Sequence, residues 1–175
     1  MFAKIWAGII AFLLWLFPFL SFLFPGTQPP IQPLKPETVA SNLMQAIETR
    51  DVDLFEEQLC LNLKVNLLKE GTEELSDKIT ELLDAIDGEL ADFTWRLQGD
   101  SYERDSNGRF VKQKILVIDF TTTEGSYRLM GNFEYHNNFK TEEMGMRSIV
   151  LFSPPTSITA IAQIRATHGE DGMHD

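Results

Sequence analysis

The stretch ELADFTWRLQ, residues 89–98, marks the point at which the sequence changes from a helical to a strand period. From Ala91 to Gln98 apolar and polar residues alternate, which is typical of a strand with one buried face. The segments before this point repeat apolar residues every three or four positions instead. The order of helices first and strands afterwards predicts an α+β domain, with the helices packed on one face of a sheet.

Two apolar stripes before residue 89 predict core-facing helices. The first spans residues 39–47 and the second spans residues 75–86, where Gly88 follows as a helix-ending glycine. Between them, Asp53 and Glu56 have the spacing of a capping box. Residues 61–68 fit either a short helix or an irregular crossing segment.

Three more strands are predicted after the first. Asn107-Gly108 is a strong hairpin signal, and it leads into a strand over residues 110–123. Residues 127–135 alternate in the same way, and residues 144–152 follow a charged loop. The sequence therefore predicts a four-stranded antiparallel sheet, followed by a polar and largely flexible tail at residues 154–175, where only a marginal helix is an alternative.

Several short blocks of this sequence resemble a known family. They are AIE at 46–48, DAIDG at 84–88, GSYRL at 125–129 and GMRSI at 145–149. The chain is similar in these blocks, and loosely from Glu37 to Phe152, to small exported proteins of Gram-positive bacteria that have no assigned function. The resemblance implies a curved sheet of the nuclear-transport-factor-two-like, cystatin-like cone, and it brings no catalytic residues.

Residues 5–24 contain no charged residue. As a helix, twenty residues extend about 30 Å, the thickness of the hydrocarbon core of a bilayer. This predicts a single transmembrane helix within residues 1–24, as a membrane anchor or uncleaved signal, and a removable signal peptide behind Lys4 is the alternative. Family members are typically lipoproteins, but no cysteine stands directly after this run to carry a lipid.

Five prolines in residues 25–36 predict an extended linker that leads to the domain at residues 37–153. All 26 acidic residues of the chain lie after residue 36, with 13 of its 15 basic residues. Such negative charge repels phosphate backbones and argues against nucleic acid as a partner. The expected location is the cell membrane, with one span and the domain on the extracytoplasmic side. Cys60 is the single cysteine, which excludes an internal disulfide.

Asp119 is the best candidate for a catalytic carboxylate, because its neighbours Ile115 and Val117 on the same strand face are apolar. Apolar surroundings raise the pKa of a carboxyl group and would suit it to act as a proton acceptor. The simpler interpretation is an aspartate near the sheet rim that is solvated or paired with an arginine. A second acid–base group is not assured, since Tyr127 and His136 fall on opposite faces of their strand.

Three arginines, Arg96, Arg128 and Arg147, occupy polar-face positions of predicted strands, and Glu134 shares the face of Arg128. They indicate either a salt-bridged outer sheet face or a site for an anionic ligand such as a cell-wall polymer. No pattern of metal ligands, catalytic triads or nucleotide-binding loops is present, so no metal or cofactor is predicted.

The predicted function is therefore a non-enzymatic, membrane-tethered binding or interaction domain at the bacterial cell surface. Its expected partners are the membrane through residues 5–24, a cell-wall component, a protein or small ligand, and a second copy of the chain in a homodimer. The alternative is a small pocket enzyme of the cone superfamily that uses a buried carboxylate such as Asp119.

Overall fold

The computed structural model describes residues 31–69, 75–104, 108 and 110–165. In this part of the chain, four α-helices and a short 3-10 helix accompany six strands. The helices are α1 (Pro36–Thr49), α2 (Val52–Glu57), α3 (Leu61–Lys69) and α4 (Leu75–Asp84), and the 3-10 turn is Thr141–Glu143. The strands are β1 (Leu90–Arg104), β2 (Phe110–Thr122), β3 (Ser126–Asn137), β4 (Gly145–Met146), β5 (Ile149–Phe152) and β6 (Ala162–Ile164).

The helix ends follow local chemistry. Pro36 opens α1, where its missing N–H would have no partner within the helix, and Arg50 ends it in the left-handed conformation with φ 55°. The cap of α2 is Asp51 rather than the predicted Asp53, because the Asp51 carboxylate accepts a hydrogen bond of 2.9 Å from the Leu54 N–H. Of the two alternatives for residues 61–68, the helix is confirmed as α3.

The strands form one antiparallel sheet in the order β1-β2-β3-β5-β6, and β4 pairs with β3 ahead of β5. The predicted four-stranded sheet is therefore wrong. The segment predicted as a single fourth strand is split into β4 and β5 by Arg147 and Ser148. A sixth strand, β6, forms within residues 154–175 and pairs Ile164 with Ile149.

The weak apolar pattern of residues 158–164 does not belong to a helix. Ile158 is 99% exposed, whereas Ile164 is fully buried in the core. A strand places Ile164 and Ala162 on the same side of β6, facing the helices. Burial of one isoleucine side chain stabilises this short strand by about 1.5–3 kcal/mol. The periodicity of the sequence alone did not predict that Ile164 would be buried.

The predicted transmembrane helix is also not supported. None of the helices within the described residues is both long and apolar enough to span a bilayer. Residues 5–24, on which that prediction rested, lie outside the described residues. The expected location at the cell membrane accordingly stays a prediction.

The core lies between the helices and one face of the sheet. Alternate residues of β2 and β3, among them Leu116, Ile118 and Leu129, join the helical stripes in one apolar cluster. Leu82 of α4 and Leu43 of α1 are both fully buried there. This confirms the predicted α+β packing of helices against an antiparallel sheet.

The opposite sheet surface, here called the outer face, carries the other set of alternating residues. Strand register places Thr94, Asp119 and Arg128 in one row across it, and Gln113 beside Glu134 in another. Because side chains alternate along a strand, Gln113 and Asp119 both project from this face of β2. The candidate functional residues below are organised around it.

The DAIDG block at residues 84–88 has a structural role. The Asp87 N–H donates to the Tyr127 hydroxyl at 3.0 Å, and Thr122 Oγ1 donates to the Asp87 carbonyl at 2.6 Å. Gly88 has φ +82°, and an added Cβ would lie 2.6 Å from Thr123 Oγ1. The block therefore joins the end of α4 to the β2–β3 turn, and glycine is required there for both conformation and space.

Candidate functional site

An ion cluster occupies the middle of the outer face. Arg128 Nε lies 2.6 Å from Asp119 Oδ1, and Arg96 Nη1 pairs with Asp119 Oδ2. The register places Arg128 of β3 directly opposite Asp119. On β1, Thr94 lies opposite Asp119, and Arg96 is two residues further along on the same face. Both carboxylate oxygens thus accept a charge-assisted hydrogen bond, so the cluster is satisfied within itself.

The environment of Asp119 does not suit a general base. Partial burial acts to raise the pKa of its carboxyl group, but hydrogen bonds from Arg128 and Arg96 outweigh burial and hold that pKa below its usual range. A carboxylate with a lowered pKa is a weaker proton acceptor than an ordinary aspartate. The alternative in which apolar neighbours raise the pKa of Asp119 is therefore wrong, and the arginine-paired interpretation is confirmed.

Arg147 belongs to a second ion pair. Its Nη1 lies 3.5 Å from Glu134 Oε2, and Glu134 Oε1 accepts a hydrogen bond of 2.8 Å from Asn137 Nδ2. The Glu134 side chain is only 5% exposed, whereas that of Arg147 is 35% exposed. Two of the three predicted arginines thus meet at Asp119, and the third lies at a separate place with Glu134.

Arg147 also lines a polar cleft of about 410 Å³, here called the amide cleft. Its walls come from α3, β2, β3, the β4–β5 connection, β5 and the residue after β6. The lining residues are Asn62, Leu63, Asn66, Gln113, Asn132, Arg147, Ser148, Val150 and Arg165. The volume is within the range of small-molecule sites, and most of the walls are hydrogen-bonding side chains.

The β4–β5 connection is held firmly where it lines the cleft. The Arg147 N–H donates to the Asn132 carbonyl at 2.7 Å, and the Asn132 N–H donates to Ser148 Oγ at 3.2 Å. A Cβ added to Gly131 would lie 1.7 Å from the Ser148 carbonyl oxygen. The connection therefore packs directly on the backbone of Gly131, which leaves no room for any side chain.

Gln113 is the unusual member of the amide cleft. Its Nε2 is buried and has no hydrogen-bond partner within the described residues. Buried polar groups in folded proteins nearly always have a partner, and an unpaired one costs about 1–3 kcal/mol of stability. Gln113 thus lines the cleft and carries a buried donor that no group in the described part of the protein uses.

The charge of the amide cleft contrasts with that of the whole chain, whose formal net charge is −11. Among the described residues, its lining contains two arginines and no aspartate or glutamate. Arg165 is exposed, and within the described residues it forms no ion pair, unlike Arg147. A locally cationic cleft in an acidic protein favours anions over cations.

Other reactive groups are accounted for by the fold. Cys60 is buried, and burial raises the pKa of its thiol, as expected for an unreactive packing residue. Among the described residues, no three His, Cys, Asp or Glu side chains are arranged to hold a metal ion.

The sequence identified Arg147 but missed the rest of the amide cleft. Gln113, Asn132 and Arg165 are separated along the chain, and none of them belongs to a recognisable motif. Arg165 is adjacent to the strand β6, which the sequence did not predict. Gln113 gave no distinct signal either, because its neighbours Lys112 and Lys114 are also polar.

Comparison with curated proteins finds no match to this chain. The predicted resemblance to exported Gram-positive proteins with a cystatin-like domain is not addressed by the comparisons and stays a prediction. A protein-family model described as "Domain of unknown function (DUF5104)" matches residues 42–157, more than half of the chain. The chain therefore belongs to the DUF5104 family of domains of unknown function.

Proposed function

We propose that this DUF5104 domain is a non-enzymatic binding domain that holds a small polar ligand in the amide cleft. The observation that carries the proposal is the buried Nε2 of Gln113, which has no partner within the described residues, in a side chain that lines a cleft of about 410 Å³. A ligand acceptor would satisfy this donor and offset the cost of burying it.

The composition of the cleft supports binding rather than catalysis. Amide, hydroxyl and guanidinium groups are effective at orienting a ligand, but none of them gains or loses a proton near neutral pH, as an acid–base catalyst must. Within the described part of the chain, the lining contains no histidine, carboxylate or thiol. The enzymatic alternative rested on Asp119, whose two arginine partners favour the ionised form of its carboxyl group.

The test is a ligand screen on the full chain that combines thermal shift with NMR of side-chain amide groups. The compounds are small carboxylates, neutral sugars and amides, and small amines. We expect at least one class to raise the melting temperature and to shift the NH₂ signals of Gln113.

Gln113→Met keeps the length of the side chain and removes the hydrogen-bonding group, so it should abolish the response. Gln45→Met is the matched control, because Gln45 is exposed on α1 and outside the cleft lining. If no class gives a response that Gln113→Met removes and Gln45→Met retains, the proposed function is wrong.

A further inference from the structure

Resting on the binding role proposed above, we propose that the ligand of the amide cleft is a small monocarboxylate. Its carboxylate group is held between Arg165, Arg147 and the Nε2 of Gln113. Three features of the cleft indicate this chemical class: its hydrogen-bond donors, its net charge and the apolar part of its lining.

The hydrogen-bonding groups of the cleft are rich in donors. Each arginine side chain has five N–H groups, and each primary amide has two. Arg147 uses one Nη for Glu134, which leaves its remaining N–H groups for a ligand. A carboxylate offers two oxygens with about four lone-pair directions, so it satisfies several of these donors together.

The net charge of the cleft favours a ligand that carries a single negative charge. Glu134 balances Arg147, while Arg165 has no acidic partner in the described residues. The lining therefore supplies about one uncompensated positive charge. A dianion such as phosphate would carry its second charge close to the buried Glu134 carboxylate, which repels it.

The shape of the donors also favours a carboxylate. Guanidinium and amide groups are planar, and arginine binds a carboxylate through two parallel N–H···O bonds. Leu63 and Val150 form the apolar part of the lining. They give a short apolar or peptide-like tail a surface to contact while the carboxylate group remains with the donors.

Gln113 gives the arrangement its specificity. Because Nε2 is buried and unpaired in the described residues, any occupant that lacks an acceptor at this position leaves it unpaired. Replacing the carboxylate by a primary amide substitutes an NH₂ donor for one of the two acceptor oxygens. The remaining carbonyl oxygen can still accept from Nε2, but the arginines then face a second donor and no negative charge, so the cleft should favour an acid over the amide of the same shape.

The experiment compares N-acetylglycine with N-acetylglycinamide, which match in shape and differ in the charged group. Both are titrated into the full chain, with the Gln113 side-chain NH₂ signals and the arginine Nε signals as readout. We expect N-acetylglycine to bind at millimolar concentration and at least about tenfold more tightly than the amide, as a charge-assisted hydrogen bond implies. Inorganic phosphate is the third arm, and we expect it to bind more weakly than the acid.

Arg165→Gln tests the charge without removing a structural contact, since Arg165 is exposed and follows β6. It should weaken N-acetylglycine binding at least about tenfold and leave the melting temperature of the free protein unchanged. Arg104→Gln is the matched control, because Arg104 is also exposed but ends β1 away from the cleft lining.

The outcomes separate this inference from the proposed function. Equal binding of the acid and the amide, tighter binding of phosphate, or full binding by Arg165→Gln each overturns the carboxylate assignment. In those cases, a Gln113-dependent response to another compound class would still support a binding domain. If no compound class responds at Gln113, both proposals fall together with the binding role itself.

Discussion

The Asp119 cluster and the amide cleft involve the same strand, yet they treat their polar groups in opposite ways. Asp119 has one arginine on each of its two oxygens, so its hydrogen-bonding needs are met within the described fold. Gln113, on the same face of β2, has a buried donor without a partner in the described residues. A satisfied polar cluster contributes to stability, whereas an unsatisfied buried group costs stability.

The contrast between the two regions also indicates which arginines are available to bind a ligand. The three arginines predicted from sequence as an anion site are not equivalent, because Arg96 and Arg128 both bind Asp119. Their charges are already used by a carboxylate of the protein itself. Arg147 shares its charge with Glu134, and the uncompensated charge comes from Arg165, which the sequence did not single out.

The largest expected effect comes from breaking the wall of the amide cleft at Gly131. Gly131→Ala places a methyl group 1.7 Å from the Ser148 carbonyl oxygen, so the β4–β5 connection must move. Overpacking typically costs about 1–3 kcal/mol of unfolding free energy, and we expect the upper end of that range because the obstacle is backbone. Urea denaturation of the variant measures this loss directly.

Gly125→Ala is the control for Gly131→Ala, because its added methyl would make only ordinary contact with the Tyr127 ring at 3.5 Å. We expect a change within about 0.5 kcal/mol. If Gly131→Ala were as stable as Gly125→Ala, the close packing of Ser148 on Gly131 would be contradicted.

The next effect has the opposite sign. Gln113→Met removes the unpaired buried donor, so the free protein should gain about 1–2 kcal/mol of unfolding free energy while it loses ligand binding. Thermal and urea denaturation without ligand measure the gain, and Gln45→Met should show none. A destabilised Gln113→Met variant would mean that the amide group already has a partner.

Asp119→Asn tests the satisfied side of the comparison. The amide keeps the shape but loses the charge that both arginines contact, and partly exposed ion pairs contribute at most about 1 kcal/mol each. We expect a loss of about 1 kcal/mol and unchanged binding of N-acetylglycine, measured by urea denaturation and NMR titration. Loss of ligand binding in this variant would show that the two regions act as one site.

The smallest expected effect is the pH dependence of the stability difference between wild type and Asp119→Asn. The pKa of Asp119 in the folded protein lies below its unfolded value of about 3.9, so its contribution is present above that pH. The contribution is lost as the pH falls through the lower, folded pKa. The stability gap between wild type and Asp119→Asn should therefore be constant above about pH 5 and should close in stronger acid. A gap that grows on acidification would contradict the lowered pKa.

Much of the fold could be predicted from the sequence, because its signals are local. The alternation around Trp95 and the hairpin signal at Asn107-Gly108 correctly predicted long antiparallel strands. The predicted strand boundaries were wrong near Arg147. There, two residues between β4 and β5 interrupt the strand that pairs with β3, and this connection packs on Gly131. Local periodicity does not detect such an interruption, because the apolar pattern continues on both sides of it.

The candidate site was less predictable. The pairing of Asp119 with arginine was anticipated, since charged residues on one face of neighbouring strands tend to pair. The amide cleft was not anticipated, because its residues come from separate elements and carry no motif. Its apolar contacts, Leu63 and Val150, look like any other core residues in the sequence.

By itself, the sequence determined the α+β class, the helical stripes, the alternating faces of β3, and the acidic character of the chain. These properties follow from side-chain chemistry repeated at fixed periods of 3.6 and 2 residues. Only the tertiary structure decided that Ile164 adds a sixth strand, that Arg96 and Arg128 share one carboxylate, and that Gln113 Nε2 has no partner among the described residues. These depend on strand register and on contacts between distant residues, for which the local pattern holds no physical information.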